Sequence, residues 1–467
     1  MMDAVTAARA IAGTLSGPNV AFERVTTDSR ALRAGDLFVA LKGERFDGHD
    51  FVAQAFERGA AAAIVAADRV ATLSGRAAGS LLAVTDPLAA LSALAAFWRR
   101  RFRLPLAGIV GSNGKTTVKE MTAAILRAQF GGEAVLATAG NLNNHIGLPL
   151  TVLALRYAHR SAVLEIGMNH RGETAALAAI ARPTIAVITN AQREHQEFMK
   201  SVADVADEHA AVLSALPNDG VAVINADDAH ARAWRDAVAR RNAEAGAIEV
   251  REFGLADAAF TARHRAEPWG SAIEIETPLG AAQLELRAPG HHNVSNALAA
   301  IAAATAAGAG LDAVRRGLSA FRPVAGRLEA KVALGGAAVI DDTYNANPDS
   351  VRAAIAVLGR FPGERWLVLG DMGEVGENGP AFHGEVGEYA RNAGIDRLFA
   401  TGELMRQAVA AFGAGGGEHF ASVDELSAAL ASRLAAAGSA VTVLVKGSRF
   451  MRMERVVAAL GAAPGAH

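Results

Sequence analysis

The run Gly108-Ile-Val-Gly-Ser-Asn-Gly-Lys-Thr-Thr117 follows an apolar stretch and leads into a helical pattern, the setting in which a glycine-rich loop cradles phosphate. Gly111 and Gly114 let backbone N–H groups turn inward, and the helix amino end adds partial positive charge. Lys115 brings a full charge to the β and γ phosphates, and Thr116 can place its hydroxyl on Mg2+. Gly111, Ser112, Asn113, Gly114, Lys115, Thr116 and Thr117 are therefore expected to hold the phosphates of ATP. The strict G-x-x-x-x-G-K-[ST] spacing would put a glycine where Ile109 stands, but the G-x-x-G-K-T core is intact.

Two further runs end in chemistry-bearing residues. AVLEIGMN carries Glu165 near the carboxyl end of a strand pattern, and IAVITN delivers NAQREHQEF with His195 and Glu197. If both strands flank the phosphate loop, Glu165 and His195 join Thr116 as metal candidates, and Lys115, Glu165 and His195 form the catalytic set. No HExxH or comparable zinc pair is present, so the expected ion is Mg2+ held largely by oxygen.

These loops need sheets to hold them. A chain of 467 residues exceeds one ordinary core and fits several domains. Half the residues are apolar and a fifth charged, with few aromatics, the profile of an α/β protein. The 46 basic and 48 acidic residues nearly cancel to a net charge of −2, so neither nucleic acid nor a membrane surface is an expected partner. Absence of cysteine excludes thiolate catalysis and disulfides. The amino terminus lacks a signal-peptide pattern and no apolar run is long enough to span a bilayer, which makes the cytoplasm the expected location.

The expected division is 1–103, a small α/β unit; 104–321, a central phosphate-loop unit with a mostly parallel sheet; and 322–467, a Rossmann-like unit built on AAVIDD, WLVLGD, RLFATG and VTVLVKG. SAIEIETPLGAAQLEL alternates around a Pro-Leu-Gly turn and reads as an antiparallel hairpin. GAGGGEHF and the tail GAAPGAH read as flexible.

In order along the chain, GSNGKTT, NLNNHIGLP, LEIGMN, the His195 loop, GHHNVSNALAA, GRLE and DDTYNANPDS resemble the Mur ligases of peptidoglycan synthesis. With TTDSR, FVALKGERFDGHDF, GDMGEVGE and KGSRFMRME the resemblance covers nearly the whole chain. It is nearest to the member that joins D-alanyl-D-alanine to UDP-N-acetylmuramoyl-tripeptide. TTDSR alone also fits an Asx-type turn, GHHN a helix cap and KGSR a basic loop; their joint order carries the functional reading.

The resemblance implies a three-domain α/β fold and a monomer that uses ATP and Mg2+ to activate the tripeptide carboxylate as an acyl phosphate. It implies UDP-sugar contacts at Thr27, Asp28, Ser29, Arg30, Lys42 and Gly43, with Asn143 and Asn144 on the sugar-peptide side. Asn296 and Arg327 would lie near the nucleotide and Asp342 near its ribose. Asn345, Asn347, Lys446, Ser448 and Arg449 would help bind substrate from the third domain. Members of the family commonly carry a carbamylated lysine on the helix after the histidine loop, supporting a second Mg2+. Here that helix, SVADVADEHAAVL, has no lysine. His209 occupies the place by register, so a second ion would be held without a carbamate, by His209 or a neighbouring acid, or not at all. A different amide ligase of the superfamily and a non-catalytic nucleotide-binding module are the competing readings.

Overall fold

The computed structural model describes residues 1–73 and 79–465. Three large sheets, of five, six and seven strands, follow one another along the chain among the described residues. In the first, strands lie in the spatial order Thr14–Ser16, Ser80–Val84, Ala62–Ala66, Asp36–Val39, Arg24–Thr26, all neighbours parallel except the first pair. Its inner strands are continuous apolar runs because helices cover both faces. Helix Pro87–Arg99 opens on Asp86, whose carboxylate accepts hydrogen bonds from Leu88 and Ala89 N–H groups, with proline at the first helical position. Its end is fastened to the central unit. The Trp98 indole N–H donates to Leu155 O at 3.0 Å, and the buried Arg99 guanidinium donates to the carbonyls of Ala181, Phe102 and Arg182. Burial lowers the Arg99 pKa to about 10, and the three carbonyls satisfy a charge that would otherwise be costly inside.

The central sheet has six parallel strands in the order Glu249–Phe253, Val221–Asn225, Ile185–Ile188, Leu106–Val110, Ser161–Glu165, Val135–Ala137. Leu106–Val110 is interior, so the loops after it and after both its neighbours converge at one edge, where ligands collect in open parallel sheets. Helix Lys115–Phe130 leaves that edge and packs on the alanine-rich helix His291–Ala306 and on Leu311–Ala320. The expected hairpin is present as Gly270–Thr277 with Gly280–Leu286, but a third strand, Thr261–Glu267, extends it.

The last sheet runs Gly417–Phe420, Arg397–Thr401, Glu364–Gly370, Val441–Lys446, Ala338–Asp342, Glu329–Val332, Ala463–Pro464, with the first five parallel and each of the other two antiparallel to the strand before it. Two expectations of flexibility are thereby corrected. Within GAGGGEHF, Gly417–Phe420 is an edge strand, held by buried Phe420 and a bidentate Glu418–Arg433 pair at 2.5 and 2.7 Å. In the tail, Ala463–Pro464 pairs with Lys331 and Val332, and residues 466–467 lie outside the described set.

Candidate active site

A cleft of about 1500 Å3 opens between the central and third sheets. Its floor is the phosphate loop. Gly111 and Gly114 have φ of 135° and 86°, a region glycine enters without strain, and a Cβ would overlap Thr189 Oγ1 at the first and Asn296 Oδ1 at the second. Helix Lys115–Phe130 starts at Gly114 with no side-chain cap, so its amino-terminal N–H groups face the cleft uncapped. Lys115 Nζ donates to the carbonyls of Gly111 and Ser112. Ser112, Asn113 and Thr117 also line the cleft.

Buried Thr116 donates its hydroxyl to Glu165 Oε2 at 2.8 Å, and Asn143 Nδ2 donates to Glu165 Oε1 at 2.8 Å. The Glu165 backbone N–H is fixed by Thr138 Oγ1. A hydroxyl and a carboxylate held together beside the loop are hard oxygen donors of the kind Mg2+ takes. Among the described residues no three His, Cys, Asp or Glu side chains are grouped to hold an ion by themselves, so phosphate oxygens and water would complete the shell.

His195 lines the same cleft with φ of 50°, a left-handed backbone that is strained outside glycine and tends to mark functional sites. Its Nδ1 lies 2.6 Å from Glu374 Oε2, a residue of the third unit that also has positive φ. The His195 contact holds the Glu374 carboxyl below its ordinary range. Glu197, weighed beside His195 in the sequence, is exposed, whereas Glu194 is buried at the floor. Glu194 Oε1 accepts a hydrogen bond from His209 Nε2 at 3.0 Å; Oε2 stands 3.5 Å from Lys115 Nζ and 3.6 Å from His195 Nε2. Burial alone would raise its pKa, but Lys115, His209 and His195 outweigh that and hold it at about 2. The sequence signal for Glu194 is only a glutamate before the histidine.

The opposite wall comes from the third sheet. Lys446 Nζ donates to Asp342 Oδ2 at 2.6 Å and to Asn345 O at 2.8 Å; burial raises the Asp342 pKa against the pull of Lys446. Ser448 Oγ donates to Ala346 O and accepts from Gly373 N–H. Arg327 lies over the Tyr344 ring at 4.1 Å, and Asn296 Nδ2 donates to Asn293 Oδ1. Asn144 accepts from the Ile146 and Gly147 N–H groups, and exposed Arg449 pairs with Glu454 at 3.1 Å.

Besides the His195–Glu374 contact, two side-chain links join the walls. Asn347 Nδ2 donates to Asn113 Oδ1 at 3.0 Å while its own Oδ1 caps helix Pro348–Leu358 by accepting from Ser350 N–H, so both ends of this expected substrate contact are occupied. Arg193, from the His195 loop, grips Asp349 and Glu385, each with a contact at 2.6 Å. Sequence reasoning missed Arg193 because its partners are 156 and 192 positions away.

The amino-terminal candidates lie outside this cleft. Thr27–Arg30 and Lys42–Gly43 follow the adjacent parallel strands Arg24–Thr26 and Asp36–Val39, at the carboxyl edge of the first sheet. Asp28 and exposed Arg30 pair with each other at 2.9 Å, and Lys42 is exposed.

Residues 21–99 match the Mur ligase family catalytic domain, 109–304 the Mur ligase middle domain, and 326–449 the Mur ligase glutamate ligase domain. The chain is 42% identical over 451 residues to the UDP-N-acetylmuramoyl-tripeptide--D-alanyl-D-alanine ligase of Escherichia coli (strain K12), covering 96% of each. It belongs to the Mur ligase family. Among solved Mur ligases, MurF from Acinetobacter baumannii superposes with a TM-score of 0.88 at 32% identity, covering 98% of both chains. MurF from Thermotoga maritima in complex with ADP gives 0.78 at 27% identity, covering 94% of this chain and 97% of that one. The three-domain α/β architecture is that of these Mur ligases.

Proposed function

We propose that this Mur ligase joins D-alanyl-D-alanine to UDP-N-acetylmuramoyl-tripeptide at the expense of ATP, through an acyl phosphate, as the last cytoplasmic step in making the peptidoglycan precursor. The observation that carries the reading is the Lys115–Thr116–Glu165 floor facing a wall of Asp342, Asn345, Lys446 and Ser448 across one cleft. The relatives of the same name support the choice of substrates.

A carboxylate resists attack by an amine until one oxygen is made a leaving group. The tripeptide's terminal carboxylate attacks the γ-phosphorus, forming a new O–P bond as the bond to ADP breaks; the amine then attacks the carbonyl carbon and inorganic phosphate departs with that oxygen. Both first-step reactants are anionic, so positive charge must be fixed where they meet. Lys115 and the uncapped N–H groups at Gly114–Thr117 supply it. Thr116 and Glu165, with His195 alongside, would hold Mg2+, which supplies Lewis-acid stabilisation of the phosphate oxygens. Asn143 fixes the Glu165 carboxylate. Asn296 and Arg327 would lie along the nucleotide, with Asp342 on its ribose and Lys446, Ser448 and Arg449 toward the incoming dipeptide. Thr27, Asp28, Ser29, Arg30, Lys42 and Gly43 would take the uridine nucleotide, with Asn143 and Asn144 on the peptide side.

A monomer suffices in this scheme, since one chain lines the whole cleft. A cytoplasmic location agrees with the absence, among the described residues, of any helix long and apolar enough to cross a membrane. The test is phosphate release with Mg-ATP and UDP-N-acetylmuramoyl-tripeptide, adding D-alanyl-D-alanine or single amino acids in turn. Release that requires the dipeptide, with a product heavier by that unit, is expected. Release with a single amino acid would place the chain elsewhere in the family, and none with any amine would reject ligation.

A further inference from the structure

Glu194 is a buried carboxylate at the phosphate loop, and no step above uses it. Carboxylates are seldom buried unless paired or hydrogen-bonded. Its two oxygens are treated differently: Oε1 takes the His209 Nε2 hydrogen bond, while Oε2 is turned toward Lys115 and His195. His209 is itself buried, its Nε2 spent on Glu194 and 3.5 Å from Ser112 Oγ, its Nδ1 without a partner. The imidazole therefore does not reach the cleft, and its effect on a ligand must pass through Glu194.

We propose that Glu194 is a built-in anionic ligand for the cation at the γ-phosphate, with His209 as its positioning residue, so that this chain needs no carbamylated lysine. The inference rests on the ligase reading only in naming that phosphate. A carbamate and a glutamate each carry one negative charge on a pair of oxygens. A glutamate on the loop after strand Ile185–Ile188, steered by a histidine from helix Val202–Ala210, presents that pair with no dependence on dissolved CO2. Lys115 Nζ, 3.5 Å from Glu194 Oε2, would serve the phosphates with a cation held by Glu194.

Two measurements test this on the full chain. First, 13C NMR of the protein equilibrated with 13C-bicarbonate is expected to show no lysine carbamate resonance; such a resonance would overturn the proposal. Second, Mg2+ is titrated into protein and a non-hydrolysable ATP analogue while analogue binding is followed. In Glu194→Gln the Mg2+ half-saturation point is expected to rise about tenfold or more, whereas Glu194→Asp recovers most of the loss, and His209→Ala shows a smaller rise in the same direction. An unchanged half-saturation point in a folded Glu194→Gln protein would overturn the proposal. Because binding is read without turnover, failure here is separable from failure of the ligase reading, which the wild-type phosphate-release assay reports.

Discussion

At the floor of the cleft, Thr116 and Asn143 each hydrogen-bond to Glu165, and Glu194 is clamped between Lys115 and His209. At the edge of the amino-terminal sheet, Arg30 and Lys42 project into solvent, and among the described residues Arg30 has only Asp28, two residues away, as an ionic partner. The first region has already met the cost of ordering and desolvating its charges, so it can act on developing charge without reorganising. The second has met neither cost, so its contribution must come as binding energy when substrate arrives. The floor is thus suited to rate and the edge to affinity.

Mutations sharpen that contrast. Lys115→Ala should give the largest effect, a fall in kcat of about 10²–10³-fold with an unchanged circular dichroism spectrum; loss confined to KM would break the distinction. Arg30→Ala should instead raise KM for the uridine substrate about tenfold and leave kcat nearly intact, read from steady-state kinetics at saturating ATP. Between the walls, Asn347→Ala removes a helix cap and the link to Asn113, and should cost about 1 kcal/mol in denaturant unfolding. The smallest effect is a pH dependence. The Glu194 carboxyl sits at about 2 when folded against its ordinary 4.5, so it stabilises the fold fully above 4.5, and that contribution drains away as pH falls toward 2. The stability gap between wild type and Glu194→Gln should therefore narrow from pH 6 to pH 3; a gap independent of pH would contradict the assignment of charge to Glu194.

What the sequence made readable follows the same division. The phosphate loop, Glu165 and His195 each sit at the end of a contiguous apolar strand, so local pattern locates them and the parallel sheet brings them together. DDTYNANPDS was equally visible as a motif, yet not the use of Asn347 as cap and bridge, which depends on Asn113 lying across the cleft. Glu194, Arg193 and the Glu374–His195 contact were out of reach for a related reason: each acquires meaning only from residues on other elements. The lysine missing from SVADVADEHAAVL was the one local hint, and it pointed to His209 before the fold placed Glu194 between His209 and Lys115. The strand Gly417–Phe420 was hidden because glycine composition argued for a loop, while one buried phenylalanine and the Glu418–Arg433 pair decide the edge.

Activation of a carboxylate by phosphoryl transfer leaves an isotopic trace. UDP-N-acetylmuramoyl-tripeptide labelled with 18O in its terminal carboxylate should, on turnover with ATP and D-alanyl-D-alanine, deliver one 18O atom to each inorganic phosphate released. Phosphate free of 18O, formed while the amide product accumulates, would contradict the acyl phosphate and with it the role given to the Lys115 floor.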